Sequence, residues 1–302
     1  MLTMQIRIAT APVSWGVLMK DTPNVLPYNT VLNQIREAGY NGTELGPYGY
    51  LPFDIPKLRE ELGSRDLSLI SAFTIFNFLE AKNDEVVYQE ALETVQVLSA
   101  MKCDYLVLSD ALFVVPNRAK RAGRIRQEDS LDNATWDRAA KNVDDFAKLA
   151  WEEYGLKTCV HPHVGGYLET DFEIDALLAR TNPENVGLCF DMAHIIYGGG
   201  DPLSVLDTWR NRVWYMHIKE CDSRVRDQVL DREGDYFDGV KSGVFPKLGA
   251  GTVDWQGING ILSQIGYDGW GTVEQDILPD SGLNPLESAK HNRRFLRDQL
   301  DW

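Results

Sequence analysis

The sequence has no CxxC pair, no GxGxxG or Walker motif after its first strand-like run, and no apolar segment of membrane-spanning length. The first absence counts against a zinc ribbon or a disulfide framework. Cys103, Cys159, Cys189 and Cys221 stand far apart, and Cys159 and Cys189 sit inside apolar runs, as buried free thiols in a reducing compartment do. The second absence counts against a dinucleotide- or nucleotide-binding doubly wound sheet. Positive charge is also scarce, with 30 Lys and Arg against 45 Asp and Glu, for a formal charge of −15. That field repels phosphate backbones and anionic membranes, so neither nucleic acid nor a membrane is an expected partner. The opening stretch "MLTMQIRIATAPVSWG" carries one basic residue and no signal-like apolar core. The expected location is the cytoplasm, and the sequence leaves the oligomeric state open, a homo-oligomer included.

What is present belongs to a folded chain: 44% of the 302 residues are aliphatic, aromatic or cysteine and 25% are charged. Short β-rich runs alternate with longer amphipathic stretches. The runs are "IRIAT", "GTEL", "SLISAF", "DYLVLS", "KTCVH", "VGLCFD", "VWYMHIK" and "GTVEQD". Between them, stretches such as "TVLNQIREAG" and "ATWDRAAKNVDDFAKLAWEEYG" repeat apolar residues at three- and four-residue spacing. This alternation predicts parallel strands, and eight such units over residues 1–302 predict a single α/β domain, a (β/α)8 TIM barrel. One long polar, glycine-punctuated stretch, residues 221–255, interrupts the rhythm after the seventh run. Loops of that length at the C-terminal face of a barrel belong to active sites.

In such a barrel, catalytic side chains project from strand C-terminal ends. Unusual polar residues collect there: Glu44, Asp110, His161 and His163, Asp191 with His194, His217 and Lys219, and Glu274. Each alone has a plain structural reading. Asp191 can cap the next helix, His217 can be a satisfied core histidine, and Glu274 can pair with a neighbouring cation. Together the fifth to eighth strand ends offer two imidazoles and two carboxylates, a set suited to one divalent ion, Mn²⁺ or Co²⁺ first, Zn²⁺ or Mg²⁺ also fitting. Strand periodicity sends His161 and His163 to the same side. His161 is assigned to the metal and His163 to substrate, with His194 beside the metal or the substrate.

The blocks "APVSWG", "NGTELGPYGY", "HPHVGG", "GLCFDMAHIIYGGGDP", "HIKE", "GVFPKLGAGTVDW", "GYDGWGTVEQD" and "NPLESA" resemble, in order and over nearly the whole chain, the xylose-isomerase-like barrels of sugar isomerases and epimerases. Within that group they look most like the inosose dehydratases, which act on 2-keto-myo-inositol in inositol catabolism. The resemblance implies metal ligands at His161, Asp191, His217 and Glu274. It implies a lyase that removes water from a cyclic polyol ketone by α-proton abstraction and β-elimination. Lys219, His163 and His194 then share the acid and base roles, and Trp15, Glu44 and Asp110 contact substrate, although Trp15 has an equally good reading as a core aromatic. The chain departs from the pattern at "LSDA", where a glutamate is expected after the serine, at Pro162 and at "GAG" in place of "GDG". A keto-sugar or keto-glycoside lyase and a sugar or sugar-phosphate isomerase or epimerase are the alternatives. The epimerases carry a glutamate where this chain has His161. A non-catalytic sugar-binding barrel would not need the four ligand positions intact.

Overall fold

The computed structural model describes residues 4–19 and 21–302. Its strands are β1 (Gln5–Thr10), β2 (Gly42–Glu44), β3 (Ser68–Ser71), β4 (Phe73–Ile75), β5 (Tyr105–Ser109), β6 (Lys157–Val160), β7 (Val186–Asp191), β8 (Val213–Ile218) and β9 (Asp268–Val273). They pair in parallel in the order β3-β2-β1-β9-β8-β7-β6-β5-β4. The sequence predicts eight strands where nine segments occur, because the third run is split at Ala72. Its first half, β3, pairs with β2 and its second half, β4, pairs with β5. Between them the Ala72 carbonyl accepts from Val107 N at 3.2 Å. The ring is thus carried from β2 to β5 by one pass of chain, and the barrel reading holds.

Alternation along each strand divides the core. Leu106 and Leu108, Leu188 and Phe190, and Met216 and Ile218 face the surrounding helices in the main apolar cluster. Residues of the opposite parity, Val107, Cys189 and Tyr215, meet Ala9, Ile70 and Cys159 in a separate cluster inside the barrel. This two-residue period positions the site. Two residues beyond Cys159, Cys189 and Tyr215 come His161, Asp191 and His217, which therefore form the next layer up, at the C-terminal mouth.

The helices follow their sequence signals. The helix Asn133–Tyr154 starts where the Asp132 carboxylate accepts from Thr135 N and stops at Gly155, whose φ of +71° suits glycine. It buries Trp136, Ala139, Ala140, Val143, Phe146, Ala147 and Ala150, one stripe at three- and four-residue spacing.

The stretch after β8 is not a plain loop. Asp222 caps a helix at Ser223–Asp231 and Asp235 caps another at Tyr236–Lys241. Tyr236, Val240, Val244 and Phe245 from this segment pack with Val164, Ala193 and Tyr197 into a third apolar cluster that roofs the mouth. Among the described residues no helix is long and apolar enough to cross a membrane.

Candidate active site

Four of the residues singled out by sequence converge at the mouth. His161 Nε2 lies 3.3 Å from Asp191 Oδ2, His217 Nδ1 lies 3.9 Å from the same oxygen and 3.2 Å from Glu274 Oε2. Atoms bound at about 2.1 Å to one tetrahedral or octahedral ion stand roughly 3.0–3.4 Å apart, so these separations need little adjustment to share a cation. The ring orientation also fits. His217 Nε2 lies 2.9 Å from Glu44 Oε1 and Nδ1 faces Glu274 Oε2 at 3.2 Å; burial opposes a charge on the ring, but Cys189, Glu274 and Glu44 around it hold it well above the usual imidazole range, so a cation at Nδ1 would take the place of a proton there. A carboxylate behind an imidazole in this way fixes the ring for metal binding.

Asp191 does two jobs with its two oxygens. Oδ1 accepts from Ala193 N and His194 N, both at 2.9 Å, capping the helix Met192–Tyr197, while Oδ2 faces His161 and Lys219. The capping reading holds, and it leaves Oδ2 directed into the mouth. Three groupings of potential ligands bring their atoms within 4.8 Å of one another: His161 with Cys189 and His217, His163 with His194 and Asp276, and Glu44 with His217 and Glu274. Cys189 lies in the layer below, among apolar side chains, and burial pushes its thiol up to about 11, so it is a poor thiolate donor.

The second grouping surrounds Lys219. The side chain is 2% exposed, and its Nζ sits 2.9 Å from Glu274 Oε2, 3.5 Å from Asp191 Oδ2 and 3.0 Å from Asp276 Oδ1. Burial alone would push the lysine down, but the three carboxylates outweigh it and hold the ammonium well above its ordinary value. Lys219 Nζ also lies 3.2 Å from His194 Nε2. An ammonium can only donate, so Nε2 accepts and the ring proton sits on His194 Nδ1, which is buried without a partner.

His163 has the complementary form. Its Nδ1 donates to the Val164 carbonyl at 2.7 Å, leaving the Nε2 lone pair, and burial first, then the neighbouring His161 ring and the Lys219 ammonium, lower the ring to about 3. The His163 and His194 rings are 3.8 Å apart between centroids.

Three substrate contacts expected from sequence have other partners. Trp15 belongs to the main apolar cluster with Val31 and Ile35, and its indole N–H donates to Gln34 on the helix Tyr28–Glu37, outside the barrel. Its core reading is the correct one. Aromatic faces near the histidines come instead from Phe73, 5.2 Å from His161 between centroids, and from Tyr236, 5.3 Å from His163. Asp110 has the parity of Leu106 and Leu108, which turns it away from the barrel axis. Its Oδ1 accepts from Phe78 N and its Oδ2 from Tyr167 N, so it braces two loops, with burial raising it to about 6. Glu44 does reach the site, but its Oε1 is occupied by His217 and by the Tyr215 hydroxyl at 2.9 Å, behind the imidazole.

Sequence reading missed Asp276, Tyr236 and Glu220. Asp276 was recoverable: Thr272, Glu274 and Asp276 keep the two-residue period past the end of β9. Glu220 turns away from Lys219. It accepts from Gly249 N, Val253 N and the Trp255 indole, so the "HIKE" block fastens the "GAGTVDW" block. Ala250, where "GDG" would have aspartate, is exposed and takes no part in that fastening. Gly251 lets the loop approach: a Cβ there would stand 2.4 Å from the Cys221 carbonyl oxygen and 2.5 Å from Glu220 Oε1. Gly251→Ala should therefore cost roughly 1–3 kcal/mol of stability, read from urea unfolding midpoints; an unchanged midpoint would contradict this account of the loop.

A model of the xylose isomerase-like TIM barrel family matches residues 32–299. The chain is 30% identical over 303 aligned positions, covering 97% of both sequences, to the inosose dehydratase of Bacillus cereus strain AH820. Among solved structures it is similar to one described as the probable 3-DHS dehydratase AsbF of petrobactin synthesis in Bacillus anthracis, with a TM-score of 0.71 at 13% identity over 97% of this chain and 100% of that one. It is also similar to the IOLI protein, which was solved with a bound zinc atom, with a TM-score of 0.69 at 15% identity over 97% of each. At those identities the two structures speak for the fold alone.

Proposed function

The chain belongs to the xylose isomerase-like TIM barrel family, and from that premise we propose that it is a metal-dependent carbon–oxygen lyase that removes water from a cyclic polyol ketone of the 2-keto-myo-inositol kind. The observation that carries the reading is the pairing, in one buried mouth, of a ligand-competent cluster with two neutral imidazoles of opposite polarity. His163 presents a lone pair and His194 presents an unpartnered N–H. A relative of the dehydratase kind over nearly the full length supports the choice of chemistry.

His161, Asp191, His217 and Glu274 would hold the cation. Two imidazoles with two carboxylates suit Mn²⁺ or Co²⁺, and Zn²⁺ or Mg²⁺ remain within the same donor chemistry. Bound there, a divalent cation supplies Lewis acidity toward the ketone oxygen and stabilises the negative charge that builds as the α-proton leaves. His163 Nε2 accepts the α-proton. His194 Nδ1 donates its proton to the departing β-hydroxyl, which leaves as water, while the electron pair of the broken C–H bond becomes the new C=C bond. Lys219 keeps its proton, holds His194 in the donor tautomer and offsets the charge of the carboxylates around it. Because Asp191, Glu274 and Asp276 already saturate that ammonium, the site favours an uncharged ketone over a sugar phosphate.

The test is product analysis in deuterium oxide. Metal-loaded protein is incubated with 2-keto-myo-inositol and, separately, with several 3-keto-glycosides. The expected outcome is an ultraviolet-absorbing enone-type product from 2-keto-myo-inositol. An epimer carrying deuterium at the α-carbon as the main product would replace the lyase reading with the epimerase one. Release of the aglycone from a 3-keto-glycoside alone would replace water with an alkoxide as leaving group.

A further inference from the structure

In the mechanism above the buried carboxylate of Asp276 serves only as a counter-charge to Lys219. Asp276 is 4% exposed, and its contacts run to three different elements. Lys219 Nζ approaches its two oxygens at 3.0 and 3.2 Å, His194 Nε2 stands 3.8 Å from Oδ2, and the Tyr236 hydroxyl donates to that same oxygen at 2.7 Å. Tyr236 opens the second helix of the roofing segment 221–254 and is itself 3% exposed. Its ring lies 5.3 Å from His163 and nearly parallel to His194, at 24° and 6.2 Å between centroids. Around Asp276, then, the groups placed at the proton transfers meet the one phenol that the roof sends into the site from this helix.

We infer that Asp276 and Tyr236 are a positioning pair for the reaction: Asp276 holds the Lys219 ammonium against His194, and Tyr236 orients that carboxylate when the 221–254 segment is seated over the mouth. Neither residue touches the reacting atoms. A carboxylate has free rotation about its Cβ–Cγ bond, and the phenol on Oδ2 fixes that rotation, so that both oxygens bracket Nζ. With Asp276 turned away, Lys219 would be drawn wholly toward Glu274 and Asp191. His194 would lose the donor that sets its tautomer. Seating of the roof and alignment of the proton-transfer groups become one event, which suits a site that must exclude water from an elimination. The inference rests on the reading of this mouth as the active site.

The experiment uses full-length, Mn²⁺-loaded protein as wild type, Tyr236→Phe, Asp276→Asn and the double variant. Turnover is read with whichever cyclic ketone the wild type dehydrates, and amide hydrogen exchange is read over residues 223–241. Asp276→Asn should lower kcat on the order of 100-fold and Tyr236→Phe about tenfold, with KM changed by less than about threefold and metal content unchanged. Because the two act as a unit, the double variant should fall no further than Asp276→Asn alone. Both single variants should exchange faster over 223–241. Losses that multiply in the double variant, or a wild-type kcat in Tyr236→Phe, would overturn the pair. Should wild type dehydrate none of the ketones, the active-site reading fails separately, and unchanged exchange over 223–241 in both variants then rejects the roof latch on its own.

Discussion

Asp191→Asn should yield a folded barrel that no longer holds its divalent cation and no longer turns over. The substitution is chosen for what it keeps. An asparagine carbonyl can still accept from Ala193 N and His194 N, so the cap on the helix Met192–Tyr197 survives, and the cost of a lost cap, about 1 kcal/mol, is avoided. What changes is the atom facing His161: an anionic oxygen becomes an NH₂ group that repels a cation. Elemental analysis should fall from about one metal per chain to near zero, and activity should fall beyond the ~10–100-fold that loss of an outer partner of a metal ligand costs. Glu44→Gln provides that lesser reference, since Glu44 Oε1 holds His217 from behind, on the ring nitrogen away from Glu274. Glu274→Gln should behave like Asp191→Asn. Full metal content in both would show that the cation, if one binds, sits elsewhere.

Much of this architecture was legible because two periods in the sequence act at different levels. The three-to-four spacing in "ATWDRAAKNVDDFAKLAWEEYG" marks a helix with one buried stripe, and the structure buries that stripe. The two-residue period within strands sorts Cys159, Cys189 and Tyr215 into the barrel interior. Extended one step, it brings His161, Asp191 and His217 to the mouth. Where sequence reading went astray, that parity was not applied. Asp110 follows β5 directly with the parity of Leu106 and Leu108 and braces loops, although its position at a strand end suggested a substrate contact. Asp276, two residues past Glu274, was passed over because it lies beyond the strand.

Other features were beyond any local pattern. Trp15 is next to the first strand in sequence, but its ring turns toward the helix layer, where the indole N–H donates to Gln34, a partner 19 residues away that no local pattern reveals. Tyr236 reaches Asp276 across 40 residues of sequence, from a segment that reads as a polar loop until Asp222 and Asp235 are seen to cap helices in it. The Glu220 bonds to Gly249, Val253 and Trp255 likewise join two motifs that sequence shows only as separate matches.

Lys219→Met should abolish turnover while leaving the cation in place, and it should destabilise the metal-free protein far more than loss of a surface lysine. Two readings of this residue differ in magnitude. A strand-end lysine paired in solvent with Glu220 or Asp222 would be worth about 0–1 kcal/mol, and its loss would leave activity intact. The structure instead places it 2% exposed, within 3.5 Å of oxygens from Asp191, Glu274 and Asp276, while Glu220 and Asp222 have partners of their own. Methionine matches the length and apolar stem of lysine but leaves those carboxylates buried with one counter-charge fewer, a loss of roughly 3–5 kcal/mol for a broken buried pair. A divalent cation bound at Asp191 and Glu274 returns part of that charge balance. Adding Mn²⁺ should therefore raise the melting temperature of Lys219→Met by more than it raises that of wild type. Turnover should stay down by about 10²–10⁴-fold even when the metal is restored, because His194 has lost the donor that holds its proton on Nδ1. Wild-type activity in the loaded variant would remove Lys219 from the mechanism, and a melting temperature equal to wild type without metal would return it to the solvent-paired reading.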